Sequence, residues 1–119
     1  MIPKITIITG GPGTGKTRLA QKDILFYPCN IATAEMCREN EHYIKAMLSF
    51  SQECLIVDAV RMADIINVLA IYKRLNSEKI IYFTTQDSRS IFDKADDILK
   101  LRIRWIELTD TGSNFKSNL

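Results

Sequence analysis

The chain has 119 residues, 46% of them apolar and 25% charged, with a net charge of +2. That length carries one domain with one sizeable core, and the composition is that of an ordinary globular protein rather than a disordered chain. So small a charge gives no argument for a nucleic-acid or membrane partner, no apolar run approaches a bilayer span, and Met1-Ile2-Pro3-Lys4 does not read as a leader, so a cytoplasmic protein is expected.

Ile5, Ile7 and Ile8, with β-branched Thr6 among them, predict a short buried strand. Gly10, Gly11, Gly13 and Gly15 then crowd into six positions around Pro12 and Thr14, and Lys16, Thr17 and Arg18 lead into a helical stretch over residues 18–25. This is G-x-x-x-x-G-K-[S/T] between a strand and a helix. Glycines let the backbone turn so that successive N–H groups face phosphate oxygens, and the helix start adds its partial positive charge. Lys16 is expected to reach the β- and γ-phosphates, and the Thr17 hydroxyl to ligate Mg²⁺. The other reading of the stretch is a glycine-rich turn with no ligand.

Pro28 closes the first helix, and residues 30–33 are the least secure strand. Thr33 is placed to cap a helix running to about residue 50, whose stripe of Met36, Cys37, Tyr43, Ile44, Met47 and Leu48 predicts a core face. Cys29, Cys37 and Cys54 are too few, and odd in number, for a disulfide framework and suit a reducing compartment. Cys29, Cys37 and His42 match no common zinc spacing.

Cys54-Leu55-Ile56-Val57 is a continuous apolar run ending at Asp58, as in a parallel strand buried on both faces. A helix follows over residues 61–75 with Met62, Ile65, Ile66 and Leu69 on one face, ended by Asn76-Ser77. Ile80 to Phe83 is another buried run, tipped by Thr84-Thr85-Gln86, and Asp87 or Ser88 is placed to cap a short turn carrying Ile91 and Phe92. Residues 98–105 alternate, with Leu99, Leu101, Ile103 and Trp105 opposite Lys100, Arg102 and Arg104. That predicts an edge or hairpin strand with one wet face, and the break at Ile106 and Leu108 predicts a turn or bulge between about Arg102 and Arg104. Residues 111–119 read as a frayed polar tail behind a single domain over residues 1–110.

Strands alternating with helices predict a three-layer αβα sandwich. Ligands in such sheets sit beyond the carboxyl ends of the strands, where the glycine loop, Asp58 and Gln86 would converge. Asp58 then reads as a carboxylate holding Mg²⁺ opposite Thr17, or else as an acid satisfying helix donors near Arg61 and Met62. Gln86 either orients an attacking water or caps the next turn.

Gly10 to Thr17 with Asp58 resembles a P-loop NTPase, and GGPGTGKT is similar to the loops of AAA+ and RecA/KaiC ATPases. The Thr-Thr-Gln tip resembles the polar-tipped strand of the RecA, HerA/FtsK and AAA+ branches. The resemblance implies a mainly parallel five-stranded sheet in the order 5-1-4-3-2, with ATP and Mg²⁺ as cofactors. Most such proteins put a catalytic Glu directly after the Walker B Asp, where this chain has Ala59. RecA and KaiC relatives carry it after the second strand instead, which implies Glu35 as the general base; the other reading of Glu35 is an acid in the first turn of a helix. The chain also resembles adenosylcobinamide kinase/guanylyltransferase, through Gly10-Gly11 to Arg18, Ala20-Gln21, Ile31-Ala32-Thr33, Glu35-Met36 and His42. That likeness implies a histidine taking the guanylyl group; the family's following Arg-Pro is absent.

The expected function is therefore Mg-ATP binding with slow or partner-stimulated hydrolysis, with Lys16, Glu35 and Gln86 in the chemistry, Gly10 to Arg18 on the nucleotide, and Thr17 and Asp58 on the metal. A guanylyl- or phosphoryl-transferase and a non-hydrolysing switch are the alternatives. Lys100, Arg102 and Arg104, together with the HerA/FtsK likeness, hint at a nucleic-acid partner; the other reading of the three is a solvated edge that discourages aggregation. In a homo-oligomer Arg61, Arg74, Arg89, Arg102 or Arg104 could serve in trans as an arginine finger, and the sequence does not select among them.

Overall fold

The computed structural model describes residues 4–23, 29–33, 41–49, 54–108 and 115–118. Its strands are β1 (Ile5–Thr9), β2 (Cys29–Thr33), β3 (Cys54–Asp58), β4 (Ile80–Thr85), β5 (Ile103–Leu108) and β6 (Phe115–Asn118). Its helices are α1 (Lys16–Asp23), α2 (Glu41–Ser49), α3 (Met62–Arg74) and α4 (Asp93–Leu99), with a 3₁₀ turn at Arg89–Phe92. The strands form one sheet in the order β2-β3-β4-β1-β5-β6, parallel from β2 through β5. β6 runs antiparallel to β5, with Ile106 opposite Ser117.

Both faces of the sheet are buried, which is why the strands read as unbroken apolar runs. Successive side chains point to opposite faces. Ile5, Ile7, Leu55, Val57, Ile81, Phe83, Ile103 and Trp105 pack with Ile44, Met47 and Leu48 of α2, with Met62, Ile65, Val68 and Leu69 of α3, and with Phe92 and Leu99. Ile8, Ile56, Tyr82 and Ile106 pack on the other side with Ala20 of α1. The result is an α/β domain with helices on both faces of a parallel sheet. Each fully buried Ile or Leu contributes about 1.5–3 kcal/mol.

The helix ends follow their sequence signals. α3 closes in a Schellman motif: Asn76 is left-handed at φ 50, Ser77 N–H donates to Tyr72 O and Asn76 N–H to Lys73 O. Lys73 and Arg74 lie in its last turn, where cations complement the helix dipole. Ser88 caps the 3₁₀ turn by accepting from Ser90 N–H at 3.3 Å.

Four expectations are corrected. Among the described residues the sheet has six strands, not five. The segment expected to fray as a polar tail contains β6, because an edge strand's unpaired N–H and C=O groups recruit a partner whatever its side chains. Residues 98–102 are not strand: α4 runs to Leu99 and Lys100 closes it at φ 50. β5 is not an edge and carries no bulge, since it pairs without interruption from Ile103–Ile5 to Glu107–Thr9; the hairpin alternative holds, because its other side pairs antiparallel with β6, and the turn falls at Lys100 rather than between Arg102 and Arg104. Its apolar alternation breaks at Ile106 because Trp105 and Ile106 are buried on opposite faces. The cap foreseen at Thr33 and the core positions Met36 and Cys37 involve residues outside those described.

Candidate functional site

The glycine loop leaves β1 at the carboxyl edge of the sheet. Gly10 N–H donates to Thr85 O at 3.2 Å, extending the β1–β4 ladder by one bond. A Cβ at Gly10 would lie 2.8 Å from Thr14 Oγ1 and 3.0 Å from Leu108 O, so no other residue fits without displacing the loop or β5. Gly13 and Gly15 sit at φ 76 and 86, in the left-handed region. Pro12 is exposed, and Thr14 is buried with its hydroxyl donating to Gly11 O at 2.8 Å.

Lys16 opens α1 and turns back into this loop. Its Nζ donates to Gly10 O and Gly11 O, each at 2.8 Å. Burial pushes the ammonium below the usual lysine range, and the nearby Asp58 carboxylate partly opposes that. The first α1 hydrogen bond runs from Leu19 N–H to Gly15 O, so the amides of the preceding turn have no intrahelical partner. An ammonium and a run of helix-start amides without intrahelical partners are the kind of donors an anion would take. Arg18, one residue along α1, is exposed.

A second group meets the loop from β3 and β4. Thr17 Oγ1 donates to Asp58 Oδ1 at 2.6 Å, and Thr84 Oγ1 donates to the same oxygen at 2.6 Å. The Thr84 hydroxyl in turn accepts from Ala59 N–H at 2.7 Å. Ala59 lies at φ 55, a conformation that costs a non-glycine residue about 1–2 kcal/mol. Val60 N–H donates to Thr84 O at 3.0 Å. The helix-donor role considered for Asp58 falls to Asp87 instead, whose Oδ2 accepts from Met62 N–H at 2.7 Å.

Lys16, Thr17 and Asp58 are therefore brought together. Asp58 Oδ2 has no hydrogen-bond partner among the described residues, and it stands on the carboxylate whose other oxygen takes the Thr17 hydroxyl. A hydroxyl and a carboxylate oxygen side by side are hard oxygen donors of the kind Mg²⁺ takes when phosphates and water complete its shell. Among the described residues there is no group of three or more His, Cys, Asp or Glu side chains suited to a metal.

Other sequence candidates are not brought in. Gln86 is exposed, makes no hydrogen bond to the described residues, and does not cap the next turn, which Ser88 does. Glu35 lies outside the described residues. His42 is exposed in the first turn of α2, next to Glu41, which pairs with Arg74 at the far end of α3. α3 is 13 residues long, so that end is about 20 Å from its Asp87-bound start. The basic stripe also dissolves: Lys100 ends α4, Arg102 precedes β5, and Arg104 lies over the Tyr82 ring at 5.7 Å and donates to its hydroxyl at 2.9 Å.

Thr84 and Asp87 are the participants that the sequence reading missed. Aligning the apolar runs of β3 and β4 would have found Thr84, since Val57 pairs with Phe83 and the next positions are Asp58 and Thr84.

Fold and site together define an α/β domain with a lysine-bearing glycine loop and a hydroxyl–carboxylate group at one edge of a parallel sheet. No protein-family model matches the chain, and a search of curated proteins finds no significant relative. Among the described residues no helix is long and apolar enough to cross a membrane.

Proposed function

We propose that this chain is a P-loop protein that binds Mg-ATP in the cradle from Gly10 to Arg18 and hydrolyses it slowly or on stimulation by a partner. The observation that carries the reading is the Thr17–Asp58–Thr84 hydrogen-bond cluster beside Lys16 and its loop. On this reading Lys16 and the loop amides hold the phosphates, and Thr17 and Asp58 hold Mg²⁺. The bound cation would neutralise charge on the phosphate oxygens. ATP rather than GTP rests on the loop's likeness to ATPase loops; no base-reading motif such as N-K-x-D occurs.

A non-hydrolysing nucleotide switch is the second reading. Ala59 stands where a general base is expected, and Gln86 points to no described partner. The position of His42, at the end of α3 away from the loop, speaks against the guanylyl-transfer likeness.

Calorimetry with ATP, ADP and GTP, with and without Mg²⁺, tests the proposal, together with a turnover assay with and without DNA. Lys16→Ala should abolish measurable Mg-ATP binding, since it removes a cation bridging two phosphates. Asp58→Asn should weaken Mg²⁺-dependent binding more than Mg²⁺-free binding. Unchanged Mg-ATP affinity in Lys16→Ala would sink the reading. Binding without turnover under every condition would leave the switch.

A further inference from the structure

We propose that Arg61 contacts the terminal phosphate of a nucleoside triphosphate bound in the loop of the same chain. This rests on the triphosphate reading above and adds the residue that distinguishes a triphosphate from a diphosphate.

Arg74 pairs with Glu41, Arg89 lies over the Trp105 ring at 4.9 Å, and Arg104 lies over Tyr82. Arg102 precedes β5 and so sits at the amino edge of the parallel strands, opposite the loop. Among the described arginines that leaves Arg18, within the loop's own helix, and Arg61. Arg61 is exposed, and its guanidinium has no partner among the described residues.

Its backbone is held at the right edge. Arg61 lies three residues beyond Asp58, in an extended conformation at φ −85 and ψ 157, and starts α3 without a side-chain cap. The segment around it is fixed to the β4 tip at three points. Ala59 N–H donates to Thr84 Oγ1 at 2.7 Å, Val60 N–H to Thr84 O at 3.0 Å, and Met62 N–H to Asp87 Oδ2 at 2.7 Å. One of those anchors, Thr84, also hydrogen-bonds the Asp58 carboxylate. An unpaired guanidinium is thus carried on a short rigid span between the carboxylate proposed for the metal and the tip of β4. On this proposal Lys16 serves the phosphates nearest the loop, and Arg61, from the segment that follows Asp58, serves the outermost one. Guanidinium groups bind phosphate oxygens bidentately and stay charged at all working pH values. Placed there, Arg61 would also stabilise charge on the transferring phosphoryl group.

The test compares Mg-ATP and Mg-ADP affinity by calorimetry in the parent, Arg61→Ala and Arg61→Lys. ADP lacks the contacted group, so Arg61→Ala should bind Mg-ADP like the parent, and that unchanged affinity is also the control for folding. Mg-ATP affinity should fall by about ten- to a hundredfold, the range of a lost charge-assisted hydrogen bond. Arg61→Lys should recover part of it. A parent that binds ATP over ADP, with Arg61→Ala keeping that preference, overturns this proposal alone. A parent that binds neither nucleotide overturns the triphosphate reading and this proposal with it. Recovery of the ATP preference on mixing Arg61→Ala with Lys16→Ala protein would make the contact intermolecular and overturn the same-chain assignment.

Discussion

Two threonines on the same face of the sheet should respond oppositely to the same substitution. Thr84 is 1% exposed, donates to Asp58 Oδ1 and accepts from Ala59 N–H. Thr84→Val keeps the shape but removes a charge-assisted hydrogen bond, about 1.5–3 kcal/mol, and orphans an amide, about 1–3 kcal/mol. Asp58 is only half-buried and can recruit water, so the expected net cost is about 2–4 kcal/mol. Thr6 is fully buried on β1, and its hydroxyl has no hydrogen-bond partner among the described residues. Thr6→Val therefore removes only an unsatisfied polar atom, and stability should hold or rise by about 1 kcal/mol. Urea denaturation resolves both. With a slope of about 2 kcal/mol/M, the Thr84→Val midpoint should fall by about 1–2 M, while that of Thr6→Val stays level or rises. Equal shifts in the two variants, or a Thr84→Val midpoint within about 0.2 M of the parent's, would refute the hydrogen-bond account of the site.

The loop and the alkaline limb give two further checks. Gly10→Ala should cost about 1–3 kcal/mol and weaken nucleotide binding, because its Cβ meets the Leu108 carbonyl as well as Thr14 Oγ1. Gly13→Ala meets nothing within 4 Å and should cost only the left-handed strain, about 1 kcal/mol. Burial pushes the Tyr72 phenol up to about 12. The native state thus keeps a proton that the unfolded chain releases near pH 10, so this contribution is complete below about pH 10 and lost as pH rises towards 12. Tyr72→Phe should cost about 1 kcal/mol at neutral pH, for the hydrogen bond to Lys79 O, and show a shallower alkaline loss in melts across pH 9–12.

The sequence by itself determined the parts set by local chemistry. Four glycines within six positions specify a tight loop between strand and helix, because glycine takes the left-handed angles found at Gly13 and Gly15 without the strain other residues incur. Apolar runs at Leu55–Val57 and Ile81–Phe83, and the β-branched run Ile5–Ile8, specify a parallel sheet covered on both faces. Asp58 was legible because it ends such a run. Residues 98–108 misled because alternation cannot separate a helix end and a left-handed turn from a strand, nor an edge strand from one whose two faces differ in cover. β6 was invisible because edge pairing uses backbone groups common to every residue. Only the tertiary structure decided which polar tip met which. The register of β3 against β4 put Thr84, not Gln86, on Asp58, and the chain's path over the β4 tip gave the α3 cap to Asp87. Those contacts join residues about 25 positions apart in sequence, and a hydrogen bond that forms only when two strands lie side by side leaves no period or spacing in the chain to be read.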